Sequence, residues 1–374
     1  MLIKRELHSK ILSAIQGEPR VIVLYGPRQA GKTTLISQIL EETGIKALKF
    51  TGDDLYTQKI FGQPELEALK PIIGNNTFLV IDEAQRITNI GLTLKLLFDN
   101  LPLTIVTSGS SSFDLANKIN EPLTGRTKTF FLYPLQYSEL TDLYRQTSPN
   151  TALEKFLRFG MYPKIHTLTG EEEKQNYLFE LLNNYLYRDI LSFEKVRKPK
   201  KVVDLLALLA LQIGKEVSIA ELAQNLSLTA KAVENYLDIL EKMFVIVNIR
   251  GFSRNLRKEI YKSSKYYFVD VGIRNALIRN FNPLELRADT GDLFENWFIM
   301  EKIKRSGGLA NFYFWRTYDQ QKIDLIEEKN GVLTGYECKW SETKKASPPK
   351  DWLNTYKEAK FEKVNRENYS GYLA

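Results

Sequence analysis

Apolar runs and helical patterns alternate along the first third of the chain. Residues 21–25 form an unbroken apolar run that predicts a buried strand, and runs at residues 45–50, 78–81 and 103–107 predict three more. Between these runs, apolar residues recur every three or four positions, which predicts helices. Strands that alternate with helices indicate an α/β fold with a parallel sheet and flanking helices.

The rest of the chain changes pattern twice. Residues 151–193 are helical and rich in Leu and Tyr, and a basic stretch around Pro199 follows as a linker. Residues 202–249 then give the order helix, turn, helix and strand, which is typical of a winged helix. From residue 289 onward the pattern predicts a helix, three strands, a helix and a last strand, which is a second α/β region.

A glycine-rich turn follows the first strand and fits the pattern G-x-x-x-x-G-K-[ST]. Such a loop points several backbone N–H groups inward at a helix N-terminus, which makes a cradle for phosphate. Lys32 would neutralise the β- and γ-phosphates, and the Thr33 hydroxyl would bind Mg²⁺. The pattern therefore predicts ATP and Mg²⁺ as ligands, and a glycine turn without a ligand is the alternative. The predicted phosphate-binding residues are Gly26, Pro27, Arg28, Gln29, Ala30, Gly31, Lys32, Thr33 and Thr34.

Two acids end the strand at residues 78–81. Asp82 would hold Mg²⁺ through water, and Glu83 would orient and polarise the water that attacks the γ-phosphate. Because the carboxyl ends of parallel strands meet at one edge of a sheet, both acids are expected beside the phosphate loop. Ser108 or a neighbouring serine could touch the γ-phosphate, and Arg126 could stabilise the transferring phosphoryl group. A serine-rich turn and an ordinary surface arginine are the alternatives.

Composition and charge narrow the class of protein. The chain has 374 residues, of which 43% are apolar and 26% charged, so a multidomain protein is expected. No stretch approaches the roughly 20 uncharged apolar residues of a membrane span, and residues 1–16 read as a charged amphipathic helix. We therefore expect a cytoplasmic protein with no membrane partner. One cysteine, Cys338, and two histidines leave few ligands for zinc or haem, so oxygen ligands and Mg²⁺ or Mn²⁺ are favoured.

Basic residues outnumber acids between residues 250 and 279, next to the predicted winged helix. A basic stripe of this kind suits contacts to DNA phosphates, so DNA is the predicted partner. The alternative is a protein-binding winged helix with a solvated charged wing. The predicted DNA-binding residues are Thr229, Lys231, Asn235, Arg250, Arg254 and Arg257.

Acids and a lysine recur in the last region in a pattern that suits phosphodiester hydrolysis. Alternation along the predicted strand at residues 333–340 puts Glu337 and Lys339 on one face, and Asp324 on the neighbouring strand can meet them. Asp324 and Glu337 would bind Mg²⁺, Lys339 would position or deprotonate the hydrolytic water, and Glu295 could complete the metal shell. A solvent-facing Glu–Lys pair is the alternative.

The order of these patterns resembles the prokaryotic AAA+ type P-loop ATPases that carry a winged helix and a C-terminal PD-(D/E)xK restriction-endonuclease-like domain. The resemblance rests on Gly26-Pro27-Arg28-Gln29-Ala30-Gly31-Lys32-Thr33, Ile81-Asp82-Glu83-Ala84-Gln85, Ser108-Gly109-Ser110, Gly125-Arg126, Tyr133-Pro134-Leu135, Tyr162-Pro163 and Tyr187-Arg188-Asp189-Ile190. It implies an ATPase core at residues 1–145, a helical lid and linker at 146–200, a winged helix at 201–285 and a nuclease-like domain at 286–374.

The same resemblance implies roles for individual residues. Ser108 or Ser110 would be the sensor, and Arg126 would be an arginine finger that acts in cis or from a second copy in a homo-oligomer. The first hypothesis is therefore an ATP-hydrolysing protein that acts on DNA, with a Mg²⁺-dependent nuclease-like domain. The alternative is a nucleotide-dependent switch or regulator that binds DNA or protein partners without cutting.

Overall fold

The computed structural model divides the chain into an N-terminal unit, residues 1–134 with 242–244, and a C-terminal unit, residues 135–241 with 245–374. It describes residues 3–110, 122–183, 198–253, 264–317, 319–343 and 346–373. Among these residues, no helix combines the length and the apolar character needed to cross a bilayer.

The described elements of the N-terminal unit follow the predicted alternation of strands and helices. They are α1 (Leu7–Gln16), β1 (Val21–Tyr25), α2 (Lys32–Thr43), β2 (Leu48–Thr51), α3 (Leu55–Phe61), α4 (Leu66–Ile73), β3 (Phe78–Asp82), α5 (Ile90–Asn100), β4 (Thr104–Gly109) and β5 (Thr127–Phe131).

A parallel sheet forms the centre of the N-terminal unit. Its strand order is β2-β3-β4-β1-β5, and each neighbouring pair is parallel. Every residue of β1 is buried, because both faces of a parallel sheet are covered by helices. The apolar faces of α1 and α2 pack against β1 through residues such as Ile11, Leu35 and Ile39. The predicted α/β class with a parallel sheet is confirmed for this unit.

The C-terminal unit combines helices with a second sheet. Its described elements are α6 (Tyr137–Leu140), α7 (Pro149–Phe159), α8 (Glu171–Leu181), α9 (Pro199–Leu211), β6 (Glu216–Val217), α10 (Ile219–Leu226), α11 (Ala230–Lys242, whose last residue is grouped with the N-terminal unit), β7 (Ile246–Gly251), β8 (Ser264–Phe268), α12 (Val271–Leu277), α13 (Thr290–Ser306), β9 (Asn311–Arg316), β10 (Lys322–Lys329), β11 (Val332–Cys338), α14 (Lys350–Thr355), β12 (Lys360–Val364) and α15 (Tyr369–Leu373).

One continuous sheet runs through the C-terminal unit in the order β12-β11-β10-β9-β7-β8-β6. The strands β6, β7 and β8 come from the region predicted as a winged helix, and β9 to β12 come from the region predicted as nuclease-like. They join where β7 pairs in parallel with β9, with Arg250 opposite Tyr313. The sheet therefore extends across the predicted domain boundary after residue 285.

Asp270 holds two segments of the C-terminal unit together. Its Oδ1 accepts hydrogen bonds from the N–H groups of Gly272 and Ile273, so it caps α12 in the role predicted from the sequence. Its Oδ2 accepts a bond of 2.6 Å from the Met161 N–H. A Cβ atom on Gly160 would lie 2.1 Å from Asp270 Oδ1, and φ there is +76°, so glycine is required.

His166 makes the stability of the C-terminal unit depend on pH. Burial, reinforced by the charges of Lys174, Lys304 and Lys155, lowers the pKa of His166 to about 3. Below its ordinary pKa near 6.5 the unfolded chain therefore binds a proton that the folded chain refuses, so stability falls as pH falls. We expect His166 to contribute a loss of about 1.4 kcal/mol per pH unit below pH 6.

Urea unfolding between pH 7.5 and 5 measures this effect. His166→Gln should flatten the pH dependence of the unfolding free energy, whatever its cost at pH 7.5. His8, on α1, is the other histidine of the chain and provides the control. An equal flattening by His8→Gln, or none by His166→Gln, would contradict the assignment.

Candidate functional site

The phosphate loop lies between the end of β1 and the start of α2. A Cβ atom on Gly26 would lie 2.0 Å from the carbonyl oxygen of Leu132, so only glycine allows this close backbone approach. Gly31 caps α2 in a left-handed conformation with φ of +98°. The loop therefore curls tightly before Lys32, where α2 begins.

Lys32 folds back across this loop. Its side chain is buried, and Nζ donates hydrogen bonds to the carbonyl oxygens of Gly26 at 2.8 Å and Pro27 at 3.0 Å. Thr33 follows on α2 and is exposed, and its Oγ1 donates to Asp82 Oδ2 at 2.6 Å. The structure thus brings together the hydroxyl and the carboxylate that the sequence assigns to Mg²⁺. Both are oxygen ligands of the kind that Mg²⁺ prefers, so the residues fit the ion.

Asp82 and Glu83 have different serine partners. The Ser108 hydroxyl donates to Asp82 Oδ1, while the Ser110 hydroxyl donates to Glu83 Oε2 at 3.2 Å. Ser108 therefore orients the acid assigned to the metal, and Ser110 orients the acid assigned to the water. The third serine, Ser111, lies outside the described residues.

Glu83 is held by its backbone as well as by its side chain. It adopts the left-handed conformation, with φ of 48°, directly after β3 ends. Gln85 Nε2 donates to Glu83 Oε2 at 2.6 Å and to the Ser110 hydroxyl at 3.1 Å. Among the described residues, no hydrogen bond reaches Glu83 Oε1. One oxygen of the Glu83 carboxylate is therefore anchored by two side chains.

Two residues of this site were missed by the sequence reasoning. Gln85 comes two residues after Glu83, so the sequence indicates that it lies near the site, but not that its side chain contacts Glu83. Arg5 donates to the carbonyl oxygen of Ala30 at 2.6 Å and to that of Tyr133 at 2.7 Å, which braces the phosphate loop from the segment before α1. Because Arg5 is 25 residues from Ala30 in sequence, no local sequence pattern indicated this contact.

Arg126 lies at the end of the parallel sheet where β1 and β5 begin, whereas the phosphate loop lies at the end where β1 finishes. It directly precedes β5, and its carbonyl oxygen accepts a hydrogen bond from the N–H of Val21 at the start of β1. Because the length of β1 separates them, Arg126 lies about 13 Å along the strand direction from the start of the phosphate loop. Its guanidinium pairs with Asp99 at 2.7 Å. This placement favours the predicted role in trans over a finger acting in cis.

Asp324 lies at an irregularity of the second sheet. The pairing of β10 with β9 shifts register between Ile323 and Ile326, which is a β-bulge that re-aims the side chain between them. Asp324 is 1% exposed, and its Oδ2 accepts a hydrogen bond of 3.0 Å from the Cys338 N–H on β11. The sequence placed Asp324 on the strand next to the one that carries Glu337, and β10 does pair with β11.

Glu337, on β11, and Lys339, directly after β11, lie near Asp324. Lys339 Nζ donates to Glu337 Oε1 and lies 4.0 Å from Asp324 Oδ2. Burial, and then the charge of Asp324, raises the pKa of Glu337. Its Oε2 is buried and has no hydrogen-bond partner among the described residues. An unpaired buried carboxylate oxygen is costly, and a metal ion is a ligand that would satisfy it.

Glu295, on α13, is bound by other groups. Its Oε1 accepts hydrogen bonds from the Tyr267 hydroxyl at 2.6 Å and from Lys265 Nζ at 3.4 Å. Burial, followed by the charge of Asp324, raises the pKa of Glu295 to about 6. Glu295 and Asp324 both line a cavity of about 560 Å³, together with Lys322 and Lys339.

The acids of the C-terminal unit do not form a dense metal cage. In the part of the chain that the structure describes, no group of three or more His, Cys, Asp or Glu side chains converges on one point. Asp324 and Glu337 nevertheless supply two carboxylates beside a lysine. Mg²⁺ commonly uses one or two protein carboxylates and takes its other ligands from water and phosphate, so the pair fits the ion while Glu295 stays outside it.

The predicted DNA-binding residues lie on the exposed surface of α11 and β7 where they are described. Thr229 caps α11 through a bond of 3.2 Å from the Ala232 N–H, and Lys231 Nζ lies 3.7 Å from Glu234. Asn235 and Arg250 are exposed. Arg254 and Arg257, and the segment Tyr187-Arg188-Asp189-Ile190 used for the resemblance, lie outside the described residues.

Family models match three consecutive parts of the chain. Residues 18–141 match the model described as AAA domain. Residues 150–284 and 290–369 match two models, each described as a domain of unknown function (DUF8612 and DUF4143).

Two relatives and one solved structure align over most of this chain. An uncharacterized protein of Mycobacterium tuberculosis is 29% identical over 345 residues, which cover 91% of this chain and 74% of the relative. One from Methanocaldococcus jannaschii is 26% identical and covers 97% of this chain and 84% of the relative. The solved structure described as the Walker-type ATPase of Pyrococcus abyssi aligns with a TM-score of 0.52 and 17% identity, over 74% of this chain and 96% of that one.

The parallel sheet, the phosphate loop and the AAA domain match together define the class of the N-terminal unit. It has a P-loop ATPase fold, and residues 18–141 match the AAA domain model. The likeness to the Pyrococcus structure concerns the fold alone.

Proposed function

We propose that the protein binds ATP with Mg²⁺ and hydrolyses it at the N-terminal site. The observation that carries this proposal is the contact between Thr33 and Asp82 at the mouth of the loop that Lys32 crosses. A hydroxyl on the phosphate loop and an acid on the adjacent strand edge meet where the metal of a bound nucleotide would lie. A structural glycine turn would not require this convergence.

The side chains divide the work of the reaction. Lys32 would leave the Gly26 and Pro27 carbonyls and bind the phosphates, and Thr33 and Asp82 would hold Mg²⁺ directly and through water. Mg²⁺, when bound, neutralises charge on the phosphate oxygens. Glu83, anchored through Oε2, would take the proton of the attacking water with Oε1.

Lys32→Met tests the phosphate loop. Removing the ammonium while keeping the length of the side chain should weaken ATP binding and lower the steady-state ATPase rate by at least about 100-fold. Lys49→Met, on the exposed face of β2, is the matched control. A Lys32→Met variant that turns over ATP at the normal rate would refute the site.

We further propose that the C-terminal unit acts on DNA and cuts it with Mg²⁺. Support comes from the meeting of Asp324, Glu337 and Lys339, and from the unpaired Oε2 of Glu337. The order α10, α11, β7, β8 supports a winged helix that would engage the duplex. Release of labelled fragments from duplex, single-stranded and branched DNA with Mg²⁺ tests this part.

A specific observation favours the second candidate function, a nucleotide-dependent switch that binds a protein partner or DNA without cutting. Lys231 pairs with Glu234, and Asp238 is also exposed on α11, so the exposed surface of this helix carries both signs of charge. DNA-binding surfaces are usually strongly basic. ATP turnover without any cleavage, and with salt-insensitive partner binding, would support the switch.

We also propose that the protein self-associates, so that Arg126 of one copy reaches the ATP site of another. Sedimentation or sizing with and without ATP tests this, because a finger given in trans requires assembly. An ATPase rate that stays proportional to protein concentration, with no assembly, would leave Arg126 with a structural role beside Asp99.

A further inference from the structure

Lys322 takes one oxygen of the acid that the proposed metal requires. Its Nζ donates to Asp324 Oδ1 at 3.1 Å, two residues away on β10. The other oxygen, Oδ2, is used by the Cys338 N–H. A divalent cation that binds Asp324 through Oδ1 must therefore displace an ammonium group.

The two members of this pair differ in how freely they can move. The Asp324 side chain is 1% exposed and fixed by the bulge and by the Cys338 N–H, while the Lys322 side chain is 54% exposed. A half-exposed lysine has four rotatable bonds and can turn toward solvent or the cavity at little cost. When the pair opens, Lys322 leaves and Asp324 stays.

The other cations at the cavity already have firm partners. Arg287, whose side chain is fully buried, binds Asp289 through Nε and Nη2, each at 2.8 Å. Lys339 donates to Glu337. Among the described cavity residues, Lys322 is the cation with the greatest freedom to exchange one anion for another.

We propose that Lys322 is a gating residue of the Asp324 site: its ammonium occupies Asp324 until a divalent cation replaces it, and the released ammonium then binds a phosphate of DNA in the cavity. This inference rests on the proposed metal site. With Asp324 and Glu337 matched by Lys322 and Lys339, the resting site is close to neutral. Binding of a cation alone costs the free energy of displacing Lys322 from Asp324. When a cation binds together with DNA, the displaced ammonium can pair with a phosphate instead. Metal and DNA therefore strengthen each other's binding, as linkage requires.

Calorimetric titration of the full chain with Mn²⁺, without nucleotide, measures the first part. Lys322→Met removes the competing charge and should tighten the Asp324-dependent Mn²⁺ binding by about threefold to tenfold. Lys322→Arg keeps the charge and should resemble the natural protein. Asp324→Asn identifies the heat that belongs to this site, and Lys329→Met, at the exposed end of β10, is the matched control.

A second titration measures the coupling. A short DNA duplex should raise Mn²⁺ affinity in the natural protein and in Lys322→Arg, and should raise it less in Lys322→Met. If Mn²⁺ affinity in Lys322→Met equals or falls below that of the natural protein, the gating role is wrong while the metal site stands. If no variant shows Asp324-dependent Mn²⁺ binding, the proposed metal site fails, and the gate fails with it.

Discussion

Glu83→Gln should stop ATP turnover and leave ATP binding intact. The amide keeps the size of the side chain and can still bond Ser110, but it cannot accept the proton of the attacking water. We expect the ATPase rate to fall by at least about 100-fold, because loss of a general base commonly costs 10² to 10⁴. ATP affinity should change by no more than about threefold, since Glu83 contacts Gln85 and Ser110 rather than the phosphate loop.

Steady-state hydrolysis and equilibrium binding of ATP with Mg²⁺ separate these two effects. Glu67→Gln is the matched control, because Glu67 is an exposed acid of the same unit that pairs with Lys70. A fall in binding equal to the fall in rate would place Glu83 in the binding of the nucleotide. Turnover at the normal rate would show that another group activates the water.

Asp324→Asn should remove Mg²⁺-dependent cleavage of DNA while ATP hydrolysis continues. Asparagine keeps the bond from the Cys338 N–H but loses the charge that attracts the metal. We expect cleavage to fall by at least about 100-fold, because a missing metal removes both charge neutralisation and the activated water. Gel analysis of labelled DNA with Mg²⁺, alongside the ATPase assay, measures both activities in one preparation.

Glu328→Gln provides the control for this substitution. Glu328 lies on the same strand as Asp324 and bonds Asn311 at the surface of the sheet, away from Lys339. Cleavage that survives Asp324→Asn would reject the nuclease assignment. No cleavage by the natural protein on any DNA form would favour the nucleotide-dependent switch instead.

A common feature links the two sites, although each belongs to its own unit. In both, a lysine rests on oxygens of the protein where a ligand would be bound: Lys32 on the carbonyls of Gly26 and Pro27, and Lys322 on Asp324. A buried or half-buried charge without a partner is costly, so the chain satisfies it internally. Binding of the proposed ligands would then be an exchange of partners rather than the filling of an unpaired site.

The sequence by itself determined the parts of this protein whose chemistry is local. The phosphate loop from Gly26 to Thr33 and the acids at the end of β3 each lie within a few adjacent residues, and each element of the α/β alternation has its own short pattern. Their backbone demands, such as glycine at Gly26, follow from short-range sterics. The proximity of Glu337 and Lys339 also followed from the two-residue period of a strand.

Only the tertiary structure decided which distant groups meet. Arg126 lies where β1 and β5 begin, at the end of the strands away from the phosphate loop, because β5 pairs in parallel with β1 from Val21 onward. Ser108 and Ser110 have different acids as partners, and Lys322 covers Asp324, because side-chain hydrogen bonds depend on packing. The parallel pairing of β7 with β9 merges two predicted domains into one sheet. Strand register and side-chain direction arise from contacts between segments far apart in the chain, and no local pattern encodes them.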